Sequence, residues 1–151
     1  MKIVIAAIGK AKASPELDLY QSYIKRIPWK ITQKEFDVKL ADVAQRKQKE
    51  AQMLTDACQG YERLVALDES GRTLSSREFA DTLGQWQQQG FSSVAFVIGG
   101  SDGLQPSLVK SAHVVWSFGR VTWPHMLVRP LLAEQLYRAH CLLTGHPYHR
   151  G

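Results

Sequence analysis

The chain opens with an unbroken apolar run, Lys2 to Ile8, of strand length and without alternation. Such a run predicts a strand buried on both faces of a parallel sheet. Ser14-Pro15-Glu16 then places a capping side chain, a first-turn proline and an acid in the order that starts a helix. Leu17, Tyr20, Ile24 and Ile27 continue it at helical spacing until Pro28. Ile31 to Leu40 predicts a second strand with Phe36, Val38 and Leu40 on one face. Asp42 to Cys58 predicts a polar helix with a thin apolar stripe of Val43, Met53, Leu54 and Ala57, closed by Gly60.

The same alternation continues to the end. Arg63 to Asp68 predicts a third strand, followed by a turn at Glu69-Ser70-Gly71. Ser75 and Glu78 have capping-box spacing ahead of a helix with Phe79, Leu83 and Trp86 on one face. Val94 to Ile98 is the fourth strand, running into Gly99-Gly100-Ser101-Asp102-Gly103. A short helix at Ser107 to Ala112, a fifth strand at His113 to Phe118 and a loop from Gly119 to His125 follow. A last helix carries Leu127, Val128, Leu131, Leu132, Leu136, Ala139 and Leu143, and Gly145 ends it. Strands alternating with helices predict a single α/β domain over residues 1–151 with a mostly parallel sheet flanked by helices. Ligands in such sheets sit beyond the carboxyl ends of the strands. Three loops are therefore candidates: the one after Leu67-Asp68, the glycine loop, and Gly119 to His125.

Composition narrows the setting. No apolar run approaches the roughly 20 residues needed to span a bilayer, and the first strand lacks a convincing signal cleavage site. Two cysteines, Cys58 and Cys141, each fall in a predicted helix, which fits buried thiols in a cytoplasmic protein better than a disulfide framework. The net charge is +5, and Lys25, Arg26, Lys30, Lys34, Lys39, Arg46, Lys47 and Lys49 crowd the first third. A basic surface favours polyanions, and a merely solvated basic face accounts for the composition equally well.

Candidate chemistry gathers in the tail. After Gly145 the chain carries His146, Pro147, Tyr148, His149 and Arg150, residues that build no core but can stack, donate hydrogen bonds and hold an anion. The glycine loop lets backbone approach a ligand, but taken alone it reads equally as a tight turn. It has neither the GxGxxG spacing nor a Walker lysine. Glu134 and Arg138 predict an exposed i,i+4 pair, with Arg129 and Arg138 facing a polyanion as the alternative. Five histidines invite a metal, yet no HExxH or CxxC pattern exists, and no metal site is expected. Cys141 lacks an evident partner base, and no GxSxG supplies a serine nucleophile. Trp29, Trp86 and Trp116 are expected in the core, Trp123 in the cleft.

Five segments in order resemble a known family: Ile98-Gly99-Gly100-Ser101-Asp102-Gly103, Trp116-Ser117, Pro124-His125-Met126-Leu127-Val128-Arg129, Glu134-Gln135-Leu136-Tyr137-Arg138-Ala139, and His146-Pro147-Tyr148-His149-Arg150. Together they are similar to the RlmH family of large-subunit ribosomal RNA methyltransferases in the SPOUT superfamily, over the whole chain. That resemblance implies a SPOUT methyltransferase fold with a C-terminal trefoil knot, where patterning alone predicts an ordinary open sheet. It also implies a cytoplasmic homodimer binding S-adenosylmethionine and methylating N3 of a pseudouridine in a 23S rRNA hairpin loop on the assembled ribosome. Carried onto this chain, the cofactor pocket would use Leu67, Gly100, Gly119, Arg120, Val121, Thr122, Trp123 and Pro124. Tyr148, His149 and Arg150 would face the target base across the dimer interface, with His149 a candidate proton acceptor. Arg120 and Trp123 stand where smaller or aliphatic residues are common.

Two rival classes compete with this reading. One keeps the fold but drops the chemistry, leaving a catalytically inactive basic ribosome-binding module. The other, a nucleotide-binding oxidoreductase or hydrolase, lacks its phosphate fingerprint. The GxGxG of ordinary class I methyltransferases is also missing.

Overall fold

The computed structural model describes all 151 residues. Five strands, β1 (Lys2–Ile8), β2 (Lys30–Phe36), β3 (Arg63–Arg72), β4 (Ser93–Ile98) and β5 (Val114–Trp116), form one sheet in the order β2-β1-β4-β3-β5. Every pairing is parallel. The helices are α1 (Pro15–Ile24), α2 (Val43–Ala57), α3 (Ser76–Gln88), α4 (Pro106–Ser111) and α5 (His125–Thr144). β1 and β4 occupy the centre, which is why their sequences are apolar at successive positions rather than alternating.

Two apolar layers hold the helices. On one face Ile3, Ile5, Ala7, Val94 and Phe96 pack with Tyr20 of α1, Phe79 and Leu83 of α3, and Leu132 and Leu136 of α5. On the other, Ala6, Ile8, Ala66 and Val97 pack with Leu54 and Ala57 of α2 and Leu108 of α4. The connections from β1 to β2 and from β3 to β4 move one way across the sheet over the first face. Those from β2 to β3 and from β4 to β5 move the other way over the second, so all four crossovers share one hand. Because the helices after β3 and β4 leave to opposite faces, a crevice opens beyond the carboxyl ends of these neighbours.

The local signals behave as their chemistry demands. Ser14 accepts from the Leu17 amide, and Ser75 with Glu78 completes a capping box. Gly145 takes φ +76° and closes α5.

Four expectations change. β2 stops at Phe36, not Leu40, because its only neighbour ends at Ile8, opposite Phe36. The turn expected at Glu69-Ser70-Gly71 lies inside β3: both Leu67 and Arg72 register against Trp116, and the residues between bulge outward, braced by the Asp68 carboxylate on Ser70. Val43, assigned to the apolar stripe of α2, is 48% exposed, and the stripe that packs is Leu54 and Ala57. Cys58 is only half-buried at the end of α2, although burial still pushes its thiol up to about 11. Cys141 is buried as expected.

Candidate active site

The three loops chosen from topology converge. They enclose a cavity of about 540 Å³ at the carboxyl ends of β3, β4 and β5, within the 300–1,000 Å³ typical of small-molecule sites. Leu67, Gly100, Gly119, Val121, Thr122, Trp123 and Pro124 line it; Arg120 is exposed and does not. The sequence reading missed Ile98, Leu104, Trp116, Ser117, Phe118 and Val128 on its wall, while Asp68, Glu69 and His125 fall in or at the ends of the loops it chose. All lie within or next to the same loops, so position after a strand was the available signal.

Close glycine packing on one side and side-chain contacts to the backbone on the other shape this cavity. A Cβ on Gly99 would stand 2.7 Å from the Gly103 carbonyl carbon, and one on Gly100 3.1 Å from Ile8 Cγ2. The Gly103 amide closes the turn by donating to the Gly100 carbonyl at 3.0 Å. On the facing loop, the Ser117 hydroxyl both donates to the Gly119 carbonyl and accepts from its amide, and Trp123 Nε1 donates to the Phe118 carbonyl at 3.2 Å. These contacts set the loop's path while the amides and carbonyls of Arg120 to Trp123 make no hydrogen bond within the protein. Exposed backbone donors and acceptors of Val121 to Trp123, free of partners in the protein and beside an apolar slot, suit a flat heterocycle. Trp116, 3% exposed on the same wall, has an indole N–H with no partner.

The tail forms a second centre on α5. Tyr148 donates to Glu134 Oε1 at 3.0 Å, and Arg138 Nε donates to the same oxygen at 3.0 Å. Arg138 Nη1 meets His149 Nδ1 at 3.0 Å. A guanidinium has no acceptor, so in this contact His149 accepts at Nδ1, leaving Nε2 as its N–H. Burial and the Glu134 carboxylate push the Tyr148 phenol up to about 12. Its ring packs edge-on against Tyr137 at 4.7 Å, with the Arg138 guanidinium over it at 4.8 Å. Arg150 is exposed and makes no hydrogen bond within the chain.

Two expectations about α5 are corrected here. Glu134 and Arg138 are not an exposed pair: their side chains are 16% and 25% exposed, covered by the returning tail. Arg129 does not face a polyanion either. It is 3% exposed and holds Glu35 and the Ile8 and Gly9 carbonyls, pinning the start of α5 to the ends of β1 and β2.

The tail residues do not line the cavity. Glu134, which holds Tyr148, lies ten residues beyond Pro124, about 15 Å along the helix axis. Within one chain the tail cluster and the cavity are thus separate.

A family model described as "Predicted SPOUT methyltransferase" matches residues 1–149. The chain belongs to the SPOUT methyltransferase family. It is 49% identical over 151 residues to ribosomal RNA large subunit methyltransferase H of Paramagnetospirillum magneticum, covering 99% of each chain. The protein of that name from Rhodospirillum centenum is 45% identical over 152 residues, covering 100% of both. In fold the chain is similar to a probable methylase family protein from Haemophilus influenzae, with TM-score 0.61 and 13% identity over 99% of this chain and 70% of that one. A probable methyltransferase from Bordetella pertussis aligns with TM-score 0.59 and 14% identity over 91% and 95%. As a SPOUT methyltransferase the chain is an enzyme that moves a methyl group.

Proposed function

We propose that this protein methylates N3 of a pseudouridine in a hairpin loop of 23S rRNA on the assembled ribosome, in the cytoplasm, with S-adenosylmethionine as donor. The observation that carries the reading is the backbone-lined cavity at the β3–β4 crevice in a SPOUT chain whose full-length relatives are named large-subunit rRNA methyltransferases.

The residues present fit the donor. Unpaired amides and carbonyls from Val121 to Trp123 suit adenine edges, the glycine loop leaves room for backbone approach, and Asp68 and Glu69 on the wall favour a cationic ligand. S-adenosylmethionine supplies a methyl group on a sulfonium centre. Leu67, Gly119 and Val121 to Pro124 would hold it and restrict its orientation toward the base. N3 must lose its proton before it is a good nucleophile. Arg150 faces the base and stabilises the developing anion. Tyr148, whose one proton is held by Glu134, packs against the base, and His149, with its proton on Nε2, donates to a base carbonyl. The N3 proton would leave to solvent, and the bound donor would supply the methyl group, with S-adenosylhomocysteine as its by-product.

A homodimer completes this site. What supports it is the separation of the two half-sites along α5, which a two-fold axis would cancel by placing one subunit's tail over its partner's cavity. The C-terminal knot belongs to the same reading. The chain leaves edge strand β5, runs past the ends of β3 and β4 in the cavity wall, and starts α5 beside Gly9.

Labelled S-adenosylmethionine and ribosomes stripped of the modification test the whole proposal, with the modified nucleoside read by mass spectrometry. Label on N3 of a large-subunit pseudouridine is expected. Ribosome binding without transfer would instead support the inactive binding module. Mixing Gly99→Val subunits with Arg150→Ala subunits tests the dimer: random pairing should restore about a quarter of wild-type activity, because half of the dimers then carry one intact composite site of two.

A further inference from the structure

Arg46 belongs, by charge and position, to the basic first third of the chain. Its side chain is otherwise engaged. Nη1 donates to the Leu40 carbonyl at 2.9 Å, in the link between β2 and α2, and Nη2 pairs with the Asp102 carboxylate in the glycine loop. Glu50, one turn further along α2, is 8% exposed, makes no hydrogen bond, and lies in the field of Arg46 and Asp102. A Cβ on Gly100 would come within 3.9 Å of its carboxylate. One guanidinium therefore engages acceptors on two segments, the β2–α2 link and the cavity-lining loop, with the Glu50 carboxylate of its own helix in its field. A rigid planar fork suits such a double contact better than a flexible point charge.

We propose that Arg46 is a positioning residue for the methyl donor: it staples the Ser101–Asp102 turn of the glycine loop to α2 and so sets the cavity wall the donor meets. Partly exposed ion pairs add little to global stability, a median of about 0–1 kcal/mol. The glycine loop is the segment where such a clasp matters. It has almost no side chains with which to anchor itself, and the Gly100–Gly103 bridge closes the turn without attaching it to a helix. Asp102 is its one charged handle. This assignment rests on reading the cavity as the donor seat, and it removes Arg46 from the set of phosphate contacts.

The test is calorimetric titration of S-adenosylhomocysteine into wild type, Arg46→Ala, Arg46→Lys, Asp102→Ala and the double alanine variant, with steady-state methylation of ribosomes alongside. Arg46→Ala is expected to raise Kd and the donor KM roughly tenfold while kcat at saturating donor stays within about twofold. Arg46→Lys should fall between, since an ammonium is not a fork. The double variant should be no weaker than the worse single one. Independent losses at Arg46 and Asp102 would overturn the staple, because Asp102 would then be acting on the donor by itself. Unchanged donor affinity in Arg46→Ala, with weaker and less salt-dependent ribosome binding, would overturn it too and return Arg46 to the RNA surface. If wild type itself fails to bind the product analogue, the donor reading falls first and the staple with it.

Discussion

The cavity and the tail are built from opposite materials. Around the cavity, glycine backbones touch backbones, and the groups left free are amides and carbonyls from Arg120 to Trp123. In the tail, Glu134, Arg138, Tyr148 and His149 are linked side chain to side chain, with each donor matched to one acceptor. The first arrangement depends on shape and tolerates changes of side-chain identity, provided that no Cβ enters. The second depends on functional groups, and one substitution breaks several contacts at once. Donor binding and base handling should therefore fail separately.

The sharpest break is Gly99→Val. Added atoms meet the Gly103 backbone, which has no slack. Overpacking of about 1–3 kcal/mol corresponds to roughly 5- to 150-fold weaker donor binding, read by calorimetry on protein with native circular dichroism. Normal affinity would mean that the glycine loop is not the donor's seat.

Glu134→Gln attacks the other side. It keeps the volume but removes the charge that Tyr148 and Arg138 share. Turnover should fall by about 10²-fold with the donor Kd unchanged, a split visible by comparing single-turnover rates with calorimetry. A matched loss in both would erase the contrast between the regions.

Tyr148→Phe sharpens the roles inside the tail. With the phenol pushed up to about 12, the hydroxyl stays protonated through any working pH, so it donates rather than accepts. The rate should drop while the pH at which activity rises stays put. A shift of that inflection would make Tyr148 the titrating group.

The smallest effect lies beneath the glycine loop. Burial raises the Glu50 carboxyl above its ordinary value of 4.5, so the folded protein prefers the protonated form. This contribution to stability is fully present below the unfolded pKa and is lost as pH rises through the raised folded one. Glu50→Gln should therefore unfold at higher temperature than wild type near pH 7.5, and the difference should vanish toward pH 4. Equal gains at both pH values would point to packing rather than charge.

Much of this was legible in the residues. Buried apolar runs marked β1 and β4, and caps at Ser14, Ser75 and Gly145 marked helix ends, because those signals act within a turn or a strand. The errors fell where a distant partner decides. β2 is shortened by the end of β1, and β3 is lengthened past its turn by β5. Arg129 and the Glu134–Arg138 pair looked like surface charges because helical spacing does not say what lies over a face. The first is covered by the ends of β1 and β2, the second by a tail that folds back.

By itself the sequence determined the α/β class, the order of elements, the three loops that make the cavity and the unusual chemistry of the last residues. All of these follow from local periodicity and residue type. Tertiary structure alone decided that Arg46 clasps Asp102, that Arg138 sets the proton on His149, and that tail and cavity lie apart in one chain. Those facts join residues 56, 11 and more than 20 positions apart, and only the path of the folded backbone brings such groups together or keeps them separate.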